Sequence, residues 1–487
     1  MRRRTLLATA LTAPLARRAN AQPQRDSALR FVPAADLPSP DPHFSASPQT
    51  RDHALLVFDT LFGRDAAGRP QMQMLDSYAV SQNALEWRLR LRTGVFFHSF
   101  ERVLARDCIA SIRRWGARDL HGQALLAVTE SLTAIDDRSI LFRLKSPFPM
   151  LPEVLGKSTP RLCAIMPARL AATPPDQEIS DIIGSGPFAW QADERKPGER
   201  CVYLRHVPYI PNRGPSEATS GAKEAFIERI EWTAMTDADA EAALRKGAID
   251  WWAAPPAAAL AGLAAVPAIR LPRLVPGGAM ATLRINPRLP PFDNPETRHA
   301  LRAAIRQADY MTALSGTTGI IPWRDNVGIF TPDTPMANQA GMAPRPGARP
   351  AAGQTVTLRA SVADNALADL TTTVLASLGI ATRRETADPA KGPWNLAHTS
   401  YDGAELTDPL GHPLLDTPIF QTLRTAWLQA PDRAWQRRIA EQIQRTALDD
   451  VTYIPLGHSF PPTAIRTSIK GLLEGMPIFW NLRRGRD

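Results

Sequence analysis

Apolar and polar residues alternate most cleanly at 87–92, where Trp87, Leu89 and Leu91 interleave with Arg88, Arg90 and Arg92. A period of two predicts a half-buried strand. Ile140, Phe142 and Leu144 repeat the pattern against Leu141, Arg143 and Lys145. Between them the spacing turns helical over 106–115, with Cys108, Ile109, Ile112 and Trp115 on one face. Asp237 is placed to cap a helix that stops at Gly247. Asn294 and Pro295 open another, with Leu301, Ala304, Ile305 and Ala308 as its buried face. Leu367, Leu370, Val374 and Leu378 predict a helix that ends at Gly379 and leads into a strand. Asp432 caps a last long helix with Trp435, Ile439 and Ile443 on one side. Strands and helices mix without a strict strand–helix–strand rhythm, which predicts an α/β or α+β protein of several lobes.

Residues 251–269 carry no charge, yet Pro255, Pro256 and Pro267 interrupt them and alanine predominates. A Pro pair opening a short Ala-rich helix inside a soluble core is expected there, not a membrane span. The Pro- and Gly-rich stretch 342–353 is the clearest connector. A chain of 487 residues exceeds one ordinary core, so two or three domains are expected.

The N-terminus, MRRRTLLATALTAPLARRANAQ, reads as an export signal. Arg2, Arg3 and Arg4 precede an apolar run over 6–16, too short for the about 20 residues of a span. The A-N-A at 19–21 supplies a cleavage site, and the twin arginines with the following residues suit the twin-arginine route. Residues 1–21 hold five arginines and no acids, so their removal lowers the net charge from +9 to +4. No Lys/Arg block follows, so no nucleic-acid partner is expected. No cysteine stands directly after the cleavage site, which predicts a soluble protein without a lipid anchor. Cys108, Cys163 and Cys201 are far apart and the histidines are scattered singly, so neither a metal nor a cofactor is expected. The thiols are expected to be buried and free, with Cys163 and Cys201 the nearer pair in sequence should one disulfide form.

The stretch IIGSGPFAW at 182–190 poses the question of chemistry. It matches neither G-x-G-x-x-G nor G-x-x-x-x-G-K-[ST], and Pro187 removes an N–H that a phosphate cradle would use. Gly184, Ser185 and Gly186 also lack the G-x-S-x-G spacing of a nucleophile elbow. A tight turn entering a strand remains. In PWNLAHTSYDGAELTDP, residues 393–409, Trp394 and Tyr401 stand near Asp402, Glu405 and Asp408. Aromatic walls around a carboxylate suit an amine-bearing or polyhydroxyl ligand. A solvated acidic loop is the alternative.

Seven stretches along the chain resemble one family. FDTLF (58–62) is similar to its "YDTL", and WRLRLRTGVFFHSFERVLARDCIASIRRW (87–115) to its strand, "LR-x-G-V-x-F-H-D-G" and following helix. GSGPF (184–188) resembles "GTGPF", ALRKGAIDWWAAP (243–255) "AL-x-x-G-x-I-D", and 284–305 "N…PPFDD…VRQAL-x-x-AI". DDRSILFRLKSPFP (136–149) and the C-terminal run 451–484 fit as well. The family is that of the extracytoplasmic solute-binding proteins of peptide-type ABC importers, family 5. The chain reads His98, Ser99 and Phe100 where "HDG" is expected, and it departs again at Leu104, where a capping Thr is usual. Residues 342–355 lack the family's extra helix.

The resemblance implies a two-lobed periplasmic-binding-protein fold of type II, peptide-binding cluster, with an extra subdomain in the first lobe. The first lobe would take 22–57, 167–262 and 455–487, the subdomain 58–166, and the second lobe 263–454. A peptide or other small ligand would close the lobes, and ABC permease subunits in the inner membrane would receive it from a monomeric, periplasmic protein. Peptide-binding members carry "A-D-Y-x-x-P", whose aspartate holds the ligand's α-amino group. Ala404, Glu405, Leu406, Thr407, Asp408 and Pro409 fall on that run, which makes Glu405 the expected anchor. Trp394, Tyr401 and Trp252 are the expected walls, with Ser185, Gly186 and Asp408 as further contacts. The rivals are a ligand sensor without transport and a secreted hydrolase; a histidine bonded to Ser185 or Ser459 would favour the latter.

Overall fold

The computed structural model describes residues 28–485 except 275–276, 317, 351–352, 362–363, 388–392, 416, 431 and 474–475. The expected export signal lies outside the described residues. Three sheets organise the rest. A seven-stranded mixed sheet runs in the order Ile269–Arg270, Ala464–Arg466, Trp251–Trp252, Ala28–Val32, Arg229–Thr233, Arg200–Arg205 and Phe188–Trp190. Its centre is parallel, Ala28–Val32 pairing with both Arg229–Thr233 and Trp251–Trp252. A six-stranded sheet runs Trp323–Arg324, Tyr453–Ser459, Ala279–Ile285, Leu396–Asp402, Thr355–Ala360 and Ala381–Thr386. The third sheet is antiparallel: Leu75–Val80, Glu86–Leu91, Ser139–Leu144 and Thr129–Asp136.

The chain passes between the two large sheets after Arg270 and again after Ser459. The crossings lie side by side: Arg273 and Pro462 form an antiparallel bridge, and the Thr463 N–H donates to the Pro272 carbonyl at 3.0 Å. The strand Ile269–Arg270 thus belongs to the first sheet and all of Tyr453–Ser459 to the second. Two adjacent extended crossings are what a hinge between lobes requires.

Local rules account for most elements. Glu86–Leu91 alternates as its sequence predicts, with Trp87, Leu89 and Leu91 buried. The helix Ala105–Gly116 starts at Leu104 without a side-chain cap, and Asp107 compensates by accepting the Leu104 N–H at 2.9 Å. Thr236, not Asp237, caps Asp237–Lys246, and Gly247 ends it at φ 74°. Asn294 caps Pro295–Ala304, but Ile305 is extended and Ala308 sits in the next helix, Gln307–Ser315. Asp432 caps Arg433–Asp450 as expected, though Trp435 is exposed, with the Arg438 guanidinium over its ring. The uncharged stretch 251–269 becomes a short strand and the helix Ala257–Ala264, and no helix among the described residues is long and apolar enough to cross a membrane. At the family's glycine position Phe100 takes a left-handed φ of 66° and stays exposed. All three cysteines are buried free thiols, and Cys163 and Cys201 lie in different apolar clusters, so they do not pair.

Candidate functional site

The 184–188 turn is a structural strap. A Cβ on Gly184 would stand 1.9 Å from the Val57 carbonyl oxygen, and one on Gly186 2.6 Å from that of Leu56. Only glycine lets the turn pass the last turn of the helix Pro48–Val57 so closely. The Gly186 N–H donates to the Val57 carbonyl at 2.9 Å and the His98 N–H to the Gly184 carbonyl at 2.8 Å. His98 Nε2 holds the Gly186 carbonyl at 3.1 Å. Ser185 is 1% exposed, its Oγ has no hydrogen-bond partner, and it faces a crevice lined by Arg92, Val95, Phe96 and Tyr209. Ser459 Oγ bonds the Ala279 carbonyl at 3.5 Å. Neither serine is bonded to a histidine.

Two expected walls stand elsewhere. Trp252 is buried with Val32, Leu244, Leu263 and Ala464, between the first sheet and the helices Asp237–Lys246 and Ala257–Ala264. Trp394 precedes the strand Leu396–Asp402, so at about 3.3 Å per residue it lies roughly 25 Å from that strand's far end. Its ring is covered by the Arg284 guanidinium at 5.1 Å.

The far end of that strand is where charges gather. Asp402 caps the short 3₁₀ turn Gly403–Leu406, accepting the Ala404 N–H at 2.9 Å. Its other oxygen pairs with Arg51 Nη1 at 3.0 Å. Arg51 comes from the helix Pro48–Val57 of the first lobe, so this ion pair crosses between lobes. Arg51 also holds Asp52 at 2.8 Å. Burial pushes the Asp52 carboxyl up to about 6 in spite of that contact. A second crossing contact joins Asp408 to His121 Nε2 at 3.3 Å. Burial raises the Asp408 pKa, but His121 and the N–H groups of Gly411 and Leu410 outweigh it and hold the carboxyl well below its ordinary range. On its other side His121 faces Asp119 at 3.7 Å, and Asp119 pairs with Lys157.

Glu405 sits in the middle. Burial first, then the Asp402 carboxylate, raise its pKa; Arg51 and Lys157 pull it back. Among the described residues its carboxylate has no hydrogen-bond or ion-pair partner, and it is half-buried. Tyr401, half-buried, is adjacent on the strand to Asp402. The fold therefore brings Glu405 and Asp408 to one interlobe region, leaves Tyr401 on the strand that leads into it, and leaves out Trp394, Trp252, Ser185 and Gly186. Sequence reasoning missed Arg51, Asp119, His121 and Lys157. The one available signal was Arg51, Asp52 and His53 placed just before the apolar run ALLV in a single helix.

Among the described residues, no group of three or more His, Cys, Asp or Glu side chains is placed to hold a metal ion.

Three known proteins are similar to this chain in sequence or in fold. The probable peptide ABC transporter periplasmic-binding protein y4tO of Sinorhizobium fredii is 28% identical over 528 residues, spanning 98% of this chain and 97% of that one. The periplasmic binding protein DppA of Helicobacter pylori, solved with the peptide STSA, superposes with a TM-score of 0.76 at 19% identity, covering 94% of this chain and 98% of that one. A dipeptide-binding protein of Pseudoalteromonas sp. SM9913, solved with Met-Leu, gives 0.77 at 17% identity over 94% of this chain and all of that one. The two structures establish the two-lobed α/β fold. The sequence pattern of the bacterial extracellular solute-binding proteins, family 5 Middle, matches residues 69–343, more than half of the chain. The alternating strand at 87 and the strap at 184 lie within that match, and the chain is a member of the family 5 bacterial extracellular solute-binding proteins.

Proposed function

We propose that this protein is the periplasmic substrate-binding component of an ABC importer. It captures a peptide or peptide-like solute bearing an amine between its lobes and delivers it, as a monomer, to permease subunits in the inner membrane. The first lobe is built on the seven-stranded sheet, the second on the six-stranded sheet, and the four-stranded sheet belongs to the extra subdomain at 58–166. Glu405 is the anchor for the amine, with Tyr401 on the strand that leads into its turn and Asp408 fixing the turn.

One observation carries this reading: a half-buried carboxylate without a partner, on a turn whose neighbours bridge the lobes. An unpaired carboxylate there costs desolvation that a ligand ammonium would offset through a charge-assisted hydrogen bond. Contacts from Arg51 and His121 to the second lobe exist only when the lobes are closed, so closure and capture are coupled. The absence of any histidine bonded to Ser185 or Ser459 leaves the hydrolase alternative without support.

Thermal melting against a panel of short peptides tests it. A ligand at a hundred times its Kd should add about 2.7 kcal/mol to the folded state. The shift should vanish in Glu405→Gln. A shift that survives that substitution would keep the binding protein and remove the anchor; no shift with any peptide, from a protein that melts cooperatively, would defeat the peptide reading.

A further inference from the structure

The cations whose charge acts on Glu405, Arg51 and Lys157, are each already paired with a carboxylate. Arg51, 6% exposed, lies between the carboxylates of Asp52 and Asp402. His121 lies between those of Asp119 and Asp408. Lys157, 8% exposed, is paired with Asp119. Arg64, whose charge interacts with those of Asp408 and the exposed Arg433, gives its N–H groups to the carbonyls of Gly68, Glu153 and Gly156 and is not among the cations that act on Glu405. Glu405 alone among these acids has no partner among the described residues. Glu405 can therefore take one positive charge, and neither cation that acts on it is free for a negative one.

A free dipeptide carries both charges within a few ångströms. Its ammonium would meet Glu405, but its carboxylate would be drawn into the field of Asp52, Asp402, Asp119 and Asp408. Like charges brought together in a poorly hydrated interface are strongly unfavourable. Resting on the assignment of Glu405 as the anchor, we propose that the cleft selects cationic amines whose carboxylate is masked or absent, such as peptide amides or amine-terminated conjugates, over zwitterionic short peptides.

Asp119 provides the handle. Its carboxylate holds Lys157 and also caps the helix Leu120–Val128 by accepting the N–H groups of His121 and Gly122. Asparagine preserves the cap, since it is as good a capping residue as aspartate, while releasing the Lys157 ammonium to receive a ligand carboxylate.

Isothermal titration of the purified protein with Met-Leu and with Met-Leu amide makes the test. The amide should bind at least about tenfold tighter, and Asp119→Asn should narrow that ratio by strengthening the free acid. A free acid that binds as well as the amide would overturn the selectivity while leaving the binding site in place. A ratio unchanged in Asp119→Asn would equally overturn it, because the missing cation would then not be the cause. If neither probe binds, the interlobe anchor fails and takes this inference with it.

Discussion

Two turns in this molecule share a signature and differ in purpose. The turn at 184–188 and the turn at 403–409 both begin with a glycine pressed against backbone, and both carry a hydroxyl or carboxylate just beyond. A Cβ on Gly184 would approach the Val57 carbonyl oxygen to 1.9 Å, and one on Gly403 would approach that of Gly277 equally closely. What separates them is the company of their side chains. The first is satisfied by backbone bonds to one helix and to His98, with its serine shut away. The second lies among charges contributed by both lobes and leaves one carboxylate unanswered. A glycine turn is thus scaffold or site according to the charge balance around it, which the turn's own sequence does not state.

The sharpest way to break that comparison is at the strap. Gly184→Ala forces a Cβ into backbone that cannot rotate aside, and should lower stability by about 3 kcal/mol. Urea unfolding would show it as a lower midpoint at unchanged slope. Ligand affinity of the folded fraction should stay unchanged; a loss there would make the 184–188 turn part of the site.

The next effect concerns the other turn. Glu405→Gln should weaken binding of an amine about 10- to 100-fold, the worth of a hydrogen bond to a charged group. Because burial and Asp402 raise the Glu405 pKa, affinity in the native protein should begin to fall on acidification above the ordinary glutamate value of about 4.3. Folding stability of the unliganded protein runs the opposite way. A carboxyl raised in the folded state contributes stability at pH below its unfolded value and loses it as pH rises through its folded value. Asp52, raised to about 6, acts with the same sign, so the stability slope between about pH 4 and 6 should persist partly in Glu405→Gln. The slope in affinity should disappear. Titration calorimetry and denaturation across pH 4–7 would separate the two.

The same contrast explains what was legible in advance. Strand alternation at 87–92 and caps at Asn294 and Asp432 are local signals, and they hold because neighbours in sequence decide them. Ile305 breaks a helix without glycine or proline, because the chain must turn there to lay Gln307–Ser315 on the second sheet. Trp394 and Tyr401 are seven residues apart in sequence, yet an extended strand carries them to opposite ends of the sheet. The interlobe contacts are less visible still: Arg51 and Asp402 are 351 positions apart, and His121 and Asp408 are 287 apart. Glu405 could be named because a family motif falls on it. Its missing partner is a property of the folded charge set alone.

The smallest expected effect tests whether the strap is chemically silent. Ser185 Oγ is buried and makes no hydrogen bond, so in the folded state it carries a desolvation cost with no return. Ser185→Ala removes the hydroxyl without adding volume, and the close glycine contacts on either side are untouched. Stability should change by less than about 1 kcal/mol and toward the more stable side, since deleting an unsatisfied polar atom relieves its cost. Affinity for any amine ligand should be the same as before. A loss of several kcal/mol would mean that the hydroxyl is bonded in solution. A change in affinity would bring the 184–188 turn to the ligand and erase the distinction between the two turns.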